Sequence, residues 1–219
     1  RLGRDAAGAL DCAGVLGYAS GMNSTKRPFD WLPSTEIVAQ SNHGVTNWIR
    51  KAPNVTLIEG HGRFESPRTI RVNDRLLEAP EIFINTGGRP TVPTMQGLAD
   101  VPYLTSTGIM DIDFLPDHLI VVGGSYIGLE FAQMYRRFGS RVTVVEMAPR
   151  IVAREDHEVS TGIQTMLEHE GIAFRLNAQC LRMDKRGVGV GVHVSCEQEP
   201  REIAGSHVLL AVGRDPNTH

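Results

Sequence analysis

The chain has 219 residues, 41% of them apolar, and a net charge of −3, enough for one large domain or two small ones. Its basic residues are scattered, with Arg136-Arg137 the densest pair, so the basic face that nucleic-acid binding needs is not expected. No apolar run reaches the roughly 18 residues of a membrane helix and no secretory signal opens the sequence, which together lead to the expectation of a cytoplasmic protein without membrane contact.

The first residue is Arg1 rather than Met, so a processed or shortened chain is expected. Cys12, Cys180 and Cys196 are far apart and form no C-x-x-C or C-x4-C pair; reduced cytosolic thiols are the expectation. Small and polar residues dominate 1–30, with a short helix expected near Ala6 to Leu16. Ser34 or Thr35 is a candidate N-cap, and Ile37, Val38, Val45, Trp48 and Ile49 follow at helical spacing until Pro53 ends the helix. The pattern then turns to strands at 54–59, 69–72 and 82–85, with a hairpin turn at Asn73-Asp74. Prolines 90, 93, 102 and 116 predict a loop-rich connection. From His118 the pattern is α/β: a buried strand 119–122, a helix 127–138 closed by Gly139, a strand 142–146, a helix 155–170 closed by Gly171 and a strand from Ala173. Short antiparallel strands at 188–195 and 202–205 and an apolar strand 208–212 complete a Rossmann-like, doubly wound α/β domain with a β-meander.

The segment Val121-Val122-Gly123-Gly124-Ser125-Tyr126-Ile127-Gly128-Leu129-Glu130 joins a strand to a helix through a glycine loop. Unpaired amides and the positive end of the helix dipole attract a diphosphate there. Gly123 suits the tight turn and Gly128 the close packing of helix on strand. Ser125 replaces the middle glycine of G-x-G-x-x-G; its Cβ narrows the phosphate approach while its hydroxyl can donate to the phosphate, so weakened binding is expected. Glu146 ends the next strand about 20 residues on, where a carboxylate accepts hydrogen bonds from ribose hydroxyls and favours NAD(H). Arg150 and Arg154 follow it and could reverse that preference by pairing with a 2′-phosphate. The plain alternative is a Rossmann-like scaffold with an empty loop and Glu146 as a solvated strand end.

On these residues the chain resembles the pyridine nucleotide–disulfide oxidoreductases, which include mercuric reductases and dihydrolipoamide dehydrogenases. Two further motifs carry the resemblance: Thr86-Gly87-Gly88-Arg89-Pro90 is similar to the family's T-G-x-R-P element, and Ala211 to Thr218 to its A-x-G-R-x-P-N-T element. The resemblance implies a partial FAD-binding domain over 1–117 and an NAD(P)-binding domain over 118–219, with FAD and NAD(P)H as cofactors. Gly123, Gly124, Ser125, Tyr126, Ile127 and Gly128 would hold the NAD(P) diphosphate, with Tyr126 over the nicotinamide pocket, Glu130 near the flavin–nicotinamide contact, Cys180 bordering the adenine and Gly213 on the nicotinamide side. Gly62 would touch the FAD adenine, and Thr86 and Gly87 would lie on the flavin side. Tyr126 as an ordinary packing aromatic and Cys180 as a small buried hydrophobe are the plainer alternatives.

The family's first glycine loop, its C-x4-C pair and its dimer-domain His-Glu pair are not in this sequence. A chain shortened at both ends is therefore expected, with no catalytic residue of its own and a partner supplying the missing FAD and dimer portions, or a homodimer. The expected function is that of a flavin-dependent oxidoreductase passing hydride from NAD(P)H to FAD and on to an acceptor; a non-catalytic dinucleotide-binding module is the alternative. An exposed apolar face is expected where the missing portions would pack.

Overall fold

The computed structural model describes residues 34–195 and 201–218, without the side chains of residues 34, 35, 180 and 181. The helix expected near Ala6, together with Cys12 and Cys196, lies outside the described residues. The chain divides into two compact units, residues 1–89 with 216–219 and residues 90–215.

In the first unit, α1 (Ser34–Lys51) forms where the apolar periodicity placed it. It gives way to turns at Ala52 and Val55, whose amides reach Ile49 O and Ala52 O, ahead of and beyond Pro53. Its apolar stripe stays open: Ile37, Val38, Val45 and Trp48 are all exposed, Trp48 to 71%. β1 (Gly62–Ser66), β2 (Thr69–Val72) and β3 (Arg75–Glu78) make an antiparallel sheet in chain order. Ile70 and Val72 alternate onto its buried face. The β2–β3 turn falls at Asn73-Asp74, with Asn73 at φ 53°, a left-handed conformation that asparagine tolerates.

The strands expected at 54–59 and 82–85 are not formed; both segments run without a ladder. Their apolar composition reads as buried strand, but a strand exists only with a hydrogen-bonding partner, and none pairs with them among the described residues. Phe83 and Ile84 are exposed accordingly. β1 was missed because Gly-Arg-Phe-Glu-Ser offers a single apolar side chain.

β4 (Gly88–Pro90) spans the division between the units. The second unit then runs β5 (Tyr103–Thr105), β6 (His118–Val122), α2 (Tyr126–Phe138), β7 (Arg141–Val145), α3 (His157–His169), β8 (Ala173–Arg175), β9 (Gln179–Arg186), β10 (Gly189–Ser195), β11 (Glu202–Gly205) and β12 (His207–Leu210), and β13 (Arg214–Pro216) again spans the division. A five-stranded sheet in the order β5-β12-β6-β7-β8 is parallel throughout. β9, β10 and β11 form the antiparallel meander. The proline-rich connection does contain loops, yet it also supplies the edge strand β5.

Period-two alternation splits the sheet's side chains between two cores. Leu119, Val121, Val142, Val144 and Leu209 pack with Leu129, Ala132 and Tyr135 of α2 and Leu167 of α3. Ile120, Val122, Val145, Val208 and Leu210 pack instead with Met183, Val190, Val192, Val194 and Ile203 of the meander. Gly139 ends α2 at φ 111°, its amide on Arg136 O, as a left-handed glycine cap does. Because β6 lies between β7 and β12, chain progression reverses there, and the carboxyl ends of β6 and β12 flank a topological switch point.

Candidate functional site

The glycine loop leaves β6 at that switch point. Gly123 takes φ 111°, and a Cβ on it would stand 2.4 Å from Ala211 O, on the segment leaving β12. A Cβ on Gly128 would stand 2.1 Å from Gly123 O. Both positions therefore require glycine, one for conformation and space, the other for space alone. Ala211 N donates to Val122 O at 2.8 Å, so the start of the Ala211–Thr218 motif adjoins the loop.

Leu129 N, reaching Ser125 O at 3.0 Å, begins the helical ladder of α2. The amides of Tyr126, Ile127 and Gly128 precede it and have no acceptor inside the helix; they form the anion-seeking end of the dipole. Ser125 is exposed, with an extended backbone (φ −100°, ψ −176°) and no capping bond from its side chain. Serine thus sits without strain at the position where the motif has glycine, and its hydroxyl is not spent on the helix. Ile127 is half-buried and Glu130 exposed.

Glu146 stands one residue past β7. Its Oε2 accepts Gly124 N–H at 2.6 Å and its Oε1 accepts Ala148 N–H at 2.7 Å, so two amides fix the carboxylate beside the glycine loop. A Cβ on Gly124 would come to 3.1 Å from Glu146 Cβ and from Ile151 Cγ2. The β7–α3 connection closes over the same loop. Val152 N donates to Gly124 O at 2.8 Å, Glu155 N to Val152 O at 2.8 Å, and Ser160 Oγ to Ile151 O at 2.8 Å. Val152 holds φ 39°, an outlier for a β-branched residue. Arg150 is turned back onto Ala153 O at 2.8 Å, and Arg154 is exposed.

Tyr126, the first residue of α2, is 53% exposed. It does not fill a core; its hydroxyl donates to Glu155. That hydrogen bond, then burial, pushes the phenol above its ordinary range, with Arg154 pulling the other way. Sequence reasoning missed Ile151, Val152 and Glu155 as parts of the site. The position of 150–155 directly after the ribose-side acid was the one available signal.

Gly213 takes φ 146° and accepts Thr91 N–H at 3.0 Å. Cys180 lies on β9 opposite Val194. In the first unit, Gly62 opens β1 opposite Val72. Thr86 is buried and Gly87 takes φ 70°. Asn217 binds both: its amide nitrogen Nδ2 reaches Thr86 O at 3.0 Å and its backbone N reaches Gly87 O at 3.0 Å, while Arg89 reaches Asn217 Oδ1 at 3.2 Å. The two motifs are knitted together by these contacts.

Away from these residues, Asp184, His193 and Glu202 place ligand-type atoms within 4.8 Å of one another on the meander. Arg186 bridges the two carboxylates, 3.3 Å from Asp184 and 2.7 Å from Glu202, which makes the group a cross-strand ion-pair network. Among the described residues no helix is long and apolar enough to cross a membrane.

A switch-point glycine loop, a fixed acid one strand over and two further motifs in order define a dinucleotide-binding protein. The family model for pyridine nucleotide-disulphide oxidoreductases matches residues 9–219, and the chain belongs to that family, whose members use FAD and NAD(P)H. It is 34% identical over 192 residues to RclA, a probable pyridine nucleotide-disulfide oxidoreductase of Escherichia coli, covering 82% of this chain and 43% of RclA. It is 39% identical over 138 residues to mercuric reductase of Streptomyces lividans, covering 63% of this chain and 29% of that protein. The solved structure of RclA, a HOCl-induced flavoprotein disulfide reductase, superposes with a TM-score of 0.73 at 34% identity, covering 84% of this chain and 42% of RclA. The chain thus spans less than half the length of these relatives.

Proposed function

We propose that residues 118–219 bind the nicotinamide dinucleotide of a flavoprotein oxidoreductase and that residues 1–117 are the later part of its FAD-binding domain. The observation that carries the reading is the pairing of Glu146 with Gly124 at 2.6 Å: one carboxylate stands ready for a ribose beside amides ready for a diphosphate. In this reading the amides of Ser125 to Gly128 hold the diphosphate and the Ser125 hydroxyl adds a donor. Glu146, already fixed by two amides, keeps acceptor capacity for the ribose hydroxyls. Tyr126, Glu130, Cys180 and Gly213 border the rest of the nucleotide, and Gly62, Thr86 and Gly87 serve the flavin side.

Bound FAD would supply two-electron chemistry between the nicotinamide and an acceptor. The residues of this chain bind and orient the nicotinamide; none of them is assigned a catalytic role. A carboxylate at the ribose repels a 2′-phosphate, and Arg150 is engaged with Ala153 O, so NADH is the favoured nucleotide. In this reading the protein works in the cytoplasm, as a homodimer or with a partner chain that carries FAD and dimer portions.

The test is titration of the purified chain with NADH and NADPH, alongside Glu146→Ala. Loss of charged hydrogen bonds to the ribose costs about 1.5–3 kcal/mol, an expected drop in NADH affinity of roughly tenfold or more. Unchanged affinity would remove the ribose assignment. A protein that binds NADH and purifies without yellow colour is a dinucleotide-binding module only.

A further inference from the structure

Three residues of the β7–α3 connection, Glu146, Val152 and Glu155, grip the glycine loop and the first residue of α2. Glu146 accepts from Gly124 N, Val152 N donates to Gly124 O at 2.8 Å, and Glu155 accepts from the Tyr126 hydroxyl. The first two grips hold main chain. The third holds a side chain that is 53% exposed on the residue whose amide opens the diphosphate end of α2. Glu155 is itself only half-buried and its amide is tied to Val152 O at 2.8 Å, so the carboxylate is delivered by a backbone already fastened to the loop.

We infer that Glu155 is a positioning residue, which fixes the Tyr126 ring at the rim of the diphosphate cradle and so governs how long a bound dinucleotide stays. This deepens the function proposed above and rests on it. A tethered ring is ordered before the ligand arrives, so closing the rim over the ligand costs no further side-chain ordering. An untethered ring rotates freely and leaves the rim open, and the effect belongs in the dissociation rate, where most affinity changes among related variants fall.

The experiment is stopped-flow measurement of NADH association and dissociation on the whole chain and on Glu155→Ala, Glu155→Gln, Tyr126→Phe and the double variant Tyr126→Phe/Glu155→Ala. Loss of one charged hydrogen bond is expected to raise the dissociation rate roughly tenfold in Glu155→Ala and equally in Tyr126→Phe. The double variant should be no worse than either, since both remove the same contact. Glu155→Gln, which keeps an acceptor, should restore a dissociation rate within about threefold of the starting protein. Ultraviolet titration of the tyrosines should show one phenol moving down toward the ordinary range in Glu155→Ala. Unaltered dissociation in Glu155→Ala, or additive effects in the double variant, overturns the tether. If the unaltered chain binds neither NADH nor NADPH, the dinucleotide reading falls and the tether with it; if the chain binds and the variants match it, only the tether falls.

Discussion

Gly128 and Ser125 occupy the same loop and obey opposite rules. A methyl group at 128 would press to 2.1 Å on Gly123 O and 3.3 Å on the Ala211 side chain, and both neighbours belong to main chain or to a close-packed strand end. Gly128→Ala is expected to lower stability by about 1–3 kcal/mol, the usual range for overpacking, and to abolish dinucleotide binding; urea unfolding and NADH titration check both. At 125 the backbone is extended, so Ser125→Gly is expected to change stability by only a few tenths of a kcal/mol, as for other glycine substitutions at an N-cap. The sequence told these residues apart only in part. The glycines of 123 and 128 were legible because their spacing and flanking strand and helix each have a geometric reason. That 125 tolerates a side chain was not, because a glycine pattern records composition and not φ. Val152 was invisible for the same reason: nothing in Arg-Ile-Val-Ala announces a left-handed valine fastened to Gly124 O.

At the scale of elements, β6, β7 and β12 were legible as apolar runs whose side chains divide between the two cores, and α2 and α3 as glycine-closed helices that each bury one face in the first of them. β9 was not, since of its described side chains only Met183 is buried and its existence depends on pairing with β10. The segments 54–59 and 82–85 failed in the reverse direction, apolar enough for a strand but without a ladder. The starts of β6 and β12 carry a pH dependence. His118, bonded to Thr143 Oγ1 at 2.9 Å, is held below its ordinary value by burial and then by Arg141. His207, stacked on Phe114 with ring centroids 4.7 Å apart, is lowered by burial, opposed by Asp117. Depressed histidines bind fewer protons folded than unfolded just below the ordinary value, so stability rises with pH through that window. Urea midpoints should be level above about pH 7 and fall as pH drops through the histidine range of about 6.5; the fall should be shallower in His118→Gln. A wild-type midpoint flat across that range would remove the account.

The molecule as a whole is uneven in how well it is covered. Among the described residues, nearly every large apolar strand side chain of the second unit is buried, whereas in the first the stripe of α1 and the pair Phe83 and Ile84 are exposed. With Trp31 replaced by Phe, the emission of Trp48 is expected to match indole in water and to be fully accessible to acrylamide. A blue-shifted, protected Trp48 in the purified chain would mean that this face is covered. The knit of Asn217 onto Thr86 and Gly87 sets a schedule. Its bonds span up to 131 residues, and contacts so distant along a chain form late. A ribosome must finish the whole of the second unit before the residue that fastens the first one emerges, so the earlier-made unit waits, unfastened, for the later-made one to be completed.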